Sequence, residues 1–180
     1  MKTKKITECA IMIALATVLH MVAIFHLPQG GAVTLASMAP IILISHRHGT
    51  RWGVLAAVTF SIVNMAIGFY PPPAGDVGSF ILVVLLDYVL AFGVYGLASA
   101  IRRWFKNMTL GLAFSTIIVC ALRFLCHFAS GIVIWASYAP EGQNVAIYSL
   151  LYNGSYMLCE AIITTVVVVS LGRLIKKLVI

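Results

Sequence analysis

Apolar stretches of about 18 residues or more, enough to cross a hydrocarbon core of roughly 30 Å, recur along the whole of this chain with only short polar breaks between them. Little sequence is left over for a soluble domain. The composition agrees: 62% of the 180 residues are hydrophobic and 9% charged, and the mean hydropathy is +1.05, far from soluble-domain norms. The expected fold class is an all-α integral membrane bundle forming one domain over residues 1–180.

Six spans are expected, at roughly 6–25, 33–45, 52–69, 79–101, 109–136 and 147–171, the second being the shortest. The breaks between them read HLPQGG, HRHGTR, YPPPAGDVG, RRWFKN and YAPEGQN, each with a Pro, a Gly or a charge cluster that stops a helix. Lys2, Lys4 and Lys5 before an apolar run resemble a signal peptide, but the run from Cys9 to Phe25 is long for one and reads as a retained helix.

The net charge of +7 is explained by topology rather than by nucleic acid, because the basic residues sit in short clusters between apolar segments. Six spans put the N-terminus, HRHGTR, RRWFK and GRLIKK on one side, which then holds eleven of the twelve Lys and Arg residues. By the positive-inside rule both termini are expected in the cytoplasm. The twelfth basic residue, Arg123, falls inside a span. The four cysteines show no CxxC spacing, so neither a disulfide framework nor a zinc site is indicated and no cofactor or metal is expected.

With the orientation set, helical rise turns position into depth. At about 1.5 Å per residue, Asn153 lies roughly 9 Å below the outer surface, His127 about 12 Å and Asp87 about 14 Å, with Trp135 and Tyr148 at the mouth. Tyr148, Tyr152, Asn153, Tyr156 and Glu160 fall within a sector of about 140°, aimed at the bundle interior. An ionisable residue within a span is costly and marks a functional site when it faces protein or a water-filled cavity. Three spans thus offer an acid, an imidazole, a carboxamide and aromatic rings at similar depth. Such a pocket suits a flat, polar, cationic ligand, drawn by ring faces and neutralised by the carboxylate. Arg123 and Glu160 lie deeper, at about 18 and 20 Å, and are expected to form a structural ion pair under the pocket floor, direct ligand contact being the alternative.

Four segments carry a family resemblance: GGAVTLASMAPIILISHRHG at 30–49, LLDYVLAFG at 85–93, RFLCHFASGIVIWASYAPEG at 123–142 and YSLLYN at 148–153. They resemble the thiamine-specific substrate-binding subunits, the S components of the ThiT family, of bacterial energy-coupling factor (ECF) transporters. The resemblance implies a six-helix bundle that binds thiamine near the outer face through Asp87, Tyr88, His127, Trp135, Tyr148 and Asn153. It also implies partners: a transmembrane coupling subunit and two ATPase subunits, with Ala10 and Ala14 of the first helix on the docking face. That pair is a small-xxx-small spacing that permits close helix approach. The family's acid is often Glu where this chain has Asp87. Some members carry a stacking Trp where this chain has Gly30 and Gly31, and Tyr70 or Trp52 are the candidates to replace it.

Two other functions compete at this point. One keeps the fold but changes the vitamin or precursor; the other is a small membrane enzyme using Asp87, His127 and Glu160 as acid and base groups. The enzyme reading suffers from Glu160 lying some 8 Å deeper than His127 and from the lack of a nucleophile motif. The 180 residues hold no Gly-x-x-x-x-Gly-Lys-[Ser/Thr] phosphate loop, so ATP hydrolysis has to come from another polypeptide.

Overall fold

The structure is a computed structural model that describes residues 2–175, with side chains from Thr3 to Gly172. Six helices follow one another: α1 (Lys2–Met21), α2 (Ala39–His48), α3 (Thr50–Ile67), α4 (Val77–Arg102), α5 (Met108–Val133) and α6 (Val145–Ile175). Of these, α3 to α6 are long and apolar enough to cross a membrane. The last four spans read from sequence match them to within a few residues.

The first two spans need correction. Helix α1 ends at Met21, and Ala23–His26 (β1) pairs antiparallel with Ala32–Thr34 (β2), so residues 22–25 and 33–38 lie outside the helices expected there. Apolar character alone does not distinguish a short strand from helix, and Pro28 with the Gly30-Gly31 pair breaks helical continuity. Gly30 takes a left-handed φ of 87° at the hairpin turn, where a side chain would be strained.

Helix α2 has ten residues, about 15 Å of rise, too short to span. It is nonetheless the heart of the bundle: Ala39 through Ser45 are all buried. Pro40 sits in its first turn, where the missing N–H is no loss. Gly49, with φ 89°, turns the chain into α3. Side-chain caps start the later helices. Asp76 accepts from Ser79 N–H at 2.9 Å, Asn107 from Leu110 N–H at 3.1 Å and Asn144 from Ala146 N–H at 2.9 Å, each satisfying a free amide of a first turn.

Glycine permits a close backbone approach. Helices α3 and α4 meet at Gly53 and Gly96, and a Cβ on Gly96 would stand 2.3 Å from Val54 N. Ser45 of α2 locks the junction, donating to Gly96 O at 2.6 Å and accepting from Ser99 N–H at 3.1 Å. The alternating helix directions gather Lys4, Lys5, Arg47, Arg51, Arg102, Arg103 and Lys106 at one end. There Glu8 accepts from Arg47 Nε at 2.7 Å and Nη2 at 3.0 Å, and meets His48 Nε2 at 2.7 Å. Lys176 and Lys177, expected on the same side, lie outside the described residues, as do the side chains of Lys2 and Arg173.

Candidate functional site

At the end opposite the basic clusters, a cavity of about 280 Å³ opens between the hairpin and the halves of α3 to α6 nearest to it. All six residues expected to bind ligand line it: Asp87, Tyr88, His127, Trp135, Tyr148 and Asn153. Helical periodicity explains the α5 contribution, because Arg123, His127 and Gly131 recur at i, i+4 and i+8 on one face. Asp87 and Tyr88 are consecutive residues, which an ordinary α-helix would point about 100° apart. The turn from Val84 to Leu90 is a π-helix, a widening often found at functional sites.

Asp87 is the hub. Its Oδ1 lies 3.0 Å from His127 Nδ1, and its Oδ2 accepts from Ser130 Oγ at 2.6 Å and from Trp135 Nε1 at 3.0 Å. The other imidazole nitrogen, His127 Nε2, meets Arg123 Nε at 3.2 Å. A guanidinium has only donors, so Nε2 must be the acceptor. His127 is therefore the neutral tautomer protonated on Nδ1, and it donates to Asp87. One chain of hydrogen bonds runs from Arg123 through His127 to the carboxylate.

Aromatic rings surround that carboxylate. Trp135 lies 5.4 Å from Tyr70 and stacks on Tyr138 at 5.7 Å, while Tyr148 stacks on Tyr152 at 5.9 Å, centre to centre. Tyr70 stands in the cavity wall and Trp52 does not, so of the two candidates to replace the stacking Trp only Tyr70 is in place. Tyr88 positions it: the phenol accepts from Tyr70 N–H at 3.0 Å and donates to Gly68 O at 3.3 Å. Outside the spans, the Tyr70 phenol is pushed above its ordinary value, first by its hydrogen bond to Tyr138 and then by burial.

Asn153 faces inward but much of its amide serves the helix contact. Its Nδ2 donates to His127 O at 3.3 Å and to Ser149 O at 3.1 Å, and its Oδ1 accepts from Tyr156 at 3.0 Å. The hairpin is tied over the cavity by α6: Gln29 and Gly31 N–H donate to the Tyr152 phenol at 3.2 and 3.1 Å.

The expected ion pair is not formed. Arg123 and Glu160 both line the cavity, but Arg123 donates to His127 and to the Tyr95 phenol at 3.3 Å. Glu160 instead accepts the backbone N–H of Thr34. The hairpin supplies that donor, and a chain read as helix through this region could not provide it. Sequence reasoning also passed over Ser130, which is fully buried, and His20 and His26, which line the cavity. Ser130 carried one signal, its place one turn past His127. Among the described residues no cluster of His, Cys, Asp or Glu is arranged to hold a metal. Ala10 and Ala14 are exposed along one side of α1, while Cys9 and Ala16 are buried.

A helical bundle with membrane-crossing segments and an aromatic, acid-centred cavity at one end is a membrane-embedded small-molecule binding protein. Comparison with known proteins makes the class specific. The model of the family described as "Thiamine transporter protein (Thia_YuaJ)" matches residues 6–180. The thiamine transporter ThiT of Bacillus subtilis is 35% identical, with 96% of this chain and 94% of the relative covered. That of Lacticaseibacillus paracasei is 31% identical, covering 91% and 84%. A solved structure of ThiT from Listeria monocytogenes superposes with a TM-score of 0.80 over 98% of this chain and 97% of that one, at 20% identity, and shares the fold. The chain belongs to the Thia_YuaJ thiamine transporter family, and is a multi-pass protein of the bacterial plasma membrane.

Proposed function

We propose that this chain is the thiamine-binding S component of an ECF-type uptake system, taking thiamine at the outer face with both termini cytoplasmic. The observation that carries the ligand is the Asp87 carboxylate, held by three donors among Tyr70, Trp135, Tyr138 and Tyr148. Thiamine joins a permanently cationic thiazolium to an aminopyrimidine. Ring faces attract its charge and Asp87 neutralises it in a poorly solvated site. Asp87, Tyr88, His127, Trp135, Tyr148 and Asn153 are the residues assigned to the ligand, Tyr88 acting through Tyr70 as well as from the wall. Acid and base catalysis has no support here, since Glu160 bonds Thr34 and joins neither Asp87 nor His127.

Import needs energy from other polypeptides: a transmembrane coupling subunit and two ATPase subunits. The exposed Ala10 and Ala14 are where a partner helix can approach α1 closely. Titration of the purified protein with thiamine, followed by tryptophan fluorescence and calorimetry, tests the binding reading. Quenching is expected to vanish in Trp135→Ala and persist in Trp104→Ala, because Trp104 is 73% exposed beside Arg103 at the basic end. A silent wild-type protein in both assays overturns the assignment.

A further inference from the structure

The charges at the end of the bundle opposite the cavity do not balance. Of the chain's five acids only Glu8 stands there, and it is taken up by Arg47 and His48. Arg102 turns inward, with Nη1 3.1 Å from Met108 Sδ. Lys4, Lys5, Arg51, Arg103 and Lys106 form no salt bridge among the described residues, and all but the half-buried Lys5 are exposed. Two contacts set these five in one row. Glu8 joins the start of α1, with Lys4 and Lys5 about one turn before it, to the corner between α2 and α3 and so to Arg51. Thr50 Oγ1 lies 2.8 Å from Ser99 Oγ, which joins that corner to the last turn of α4 and to Arg103 and Lys106 beyond it.

A row of like charges repels itself, and a partner that brings anions along the same line relieves the repulsion. The level of the row identifies that partner. Arg51 lies in the first turn of α3 and Arg103 follows the end of α4; both helices are long and apolar enough to cross a membrane, so these cations stand where hydrocarbon gives way to headgroups. Trp104, between Arg103 and Lys106 in sequence, is 73% exposed, and an indole so placed belongs at the membrane–water interface. We propose that Lys4, Lys5, Arg51, Arg103 and Lys106 form a binding site for the anionic headgroups of phospholipids in the leaflet at this end of the bundle. Their aliphatic stems lie along the apolar boundary and carry the charges to the lipid phosphates. Each such cation raises affinity for an anionic surface about fivefold. A headgroup held between two is then favoured roughly twenty-five-fold over a zwitterionic one, whose own cation offsets its phosphate. The site stands apart from the thiamine reading, since none of these residues lines the cavity.

The chain has three tryptophans, Trp52, Trp104 and Trp135, so Trp52→Phe with Trp135→Phe leaves Trp104 as the single reporter beside Arg103. The full chain is placed in vesicles of mixed phosphatidylcholine and phosphatidylglycerol, with one lipid or the other brominated on its acyl chains. Quenching of Trp104 then gives the binding constant of phosphatidylglycerol relative to phosphatidylcholine at this end. It is expected at about five to twenty-five, and to fall towards one when Arg51, Arg103 and Lys106 are all replaced by Gln. Replacing both arginines by Lys keeps the charge and is expected to keep the preference. Added salt tests the same point with the row intact, and is expected to lower the constant by screening. A constant near one in the reporter protein overturns the lipid site and leaves the row to an acidic protein surface. A preference that survives both the Gln replacements and high salt overturns it as well, because the lipid would then be chosen by something other than these cations.

Discussion

Replacing Asp87 by Asn changes only a charge and one acceptor, yet its consequences run through the whole network. The carboxylate receives three donors on two oxygens. An amide has one oxygen, best placed at the Oδ2 position so that Ser130 and Trp135 keep their partner, which turns its NH₂ toward His127 Nδ1. The imidazole then has two poor choices. Keeping the proton on Nδ1 sets donor against donor at 3.0 Å; moving it to Nε2 creates the same conflict with Arg123 at 3.2 Å. One buried conflict remains either way. Losing a charge-assisted contact to a cationic ligand costs about 1.5–3 kcal/mol, roughly ten- to more than a hundredfold in affinity. Calorimetry of wild type and Asp87→Asn with thiamine and with an uncharged analogue of the same shape separates the effects. The full loss is expected for thiamine and a much smaller one for the neutral analogue. Equal losses would show that Asp87 acts through packing and hydrogen bonding, and no loss would remove it from the site.

The tautomer of His127 is open to direct observation: nitrogen NMR of histidine-labelled protein, assigned with His127→Gln, is expected to show Nδ1 protonated in wild type and that preference lost in Arg123→Met. A wild-type signal protonated on Nε2 would break the Arg123–His127–Asp87 chain. Gly96→Ala is expected to destabilise the ligand-free bundle by about 1–3 kcal/mol, as overpacking does, because its Cβ meets the Val54 backbone 2.3 Å away; an unchanged thermal melt would contradict that contact. Replacing Ala10 and Ala14 together by Leu is expected to leave thiamine affinity in detergent unchanged while lowering uptake by cells, and normal uptake with partners present would refute the docking face.

The helices were legible because a bilayer imposes one strong rule, about 18 to 20 apolar residues per crossing, and α3 to α6 obey it. The rule fails where the chain does not need to cross. Residues 22–25 and 33–38 are apolar enough to read as ends of two spans, but the segment between the helices folds as a hairpin with backbone amides satisfied from outside, by the Tyr152 phenol and Glu160. Those partners lie more than 120 residues away, beyond the reach of any local pattern. The same distance undid the Arg123–Glu160 pair: matched depth put both residues at the cavity, but depth carries no information about which way each turns around its helix axis or what else reaches it first.

The site itself was legible as a set and not as a geometry. Depth and helical face brought Asp87, His127, Trp135, Tyr148 and Asn153 together because both follow from counting. Counting assumes a regular helix, and α4 departs from one at the residues that matter, through the π turn at Val84–Leu90 and a 3₁₀ turn at Val94–Leu97. The first carries Asp87 and Tyr88, which both line the cavity; the second lies at Gly96, where the α4 backbone comes close to α3. These departures are separated by a single short stretch of α-helix, Ala91–Gly93. The carboxylate at the cavity and the close backbone approach of α3 to α4 are therefore carried on one irregular segment. Gly96→Ala is therefore expected to weaken thiamine binding as well as stability, and a variant that melts lower but binds thiamine with wild-type affinity in calorimetry would refute any coupling between the two positions.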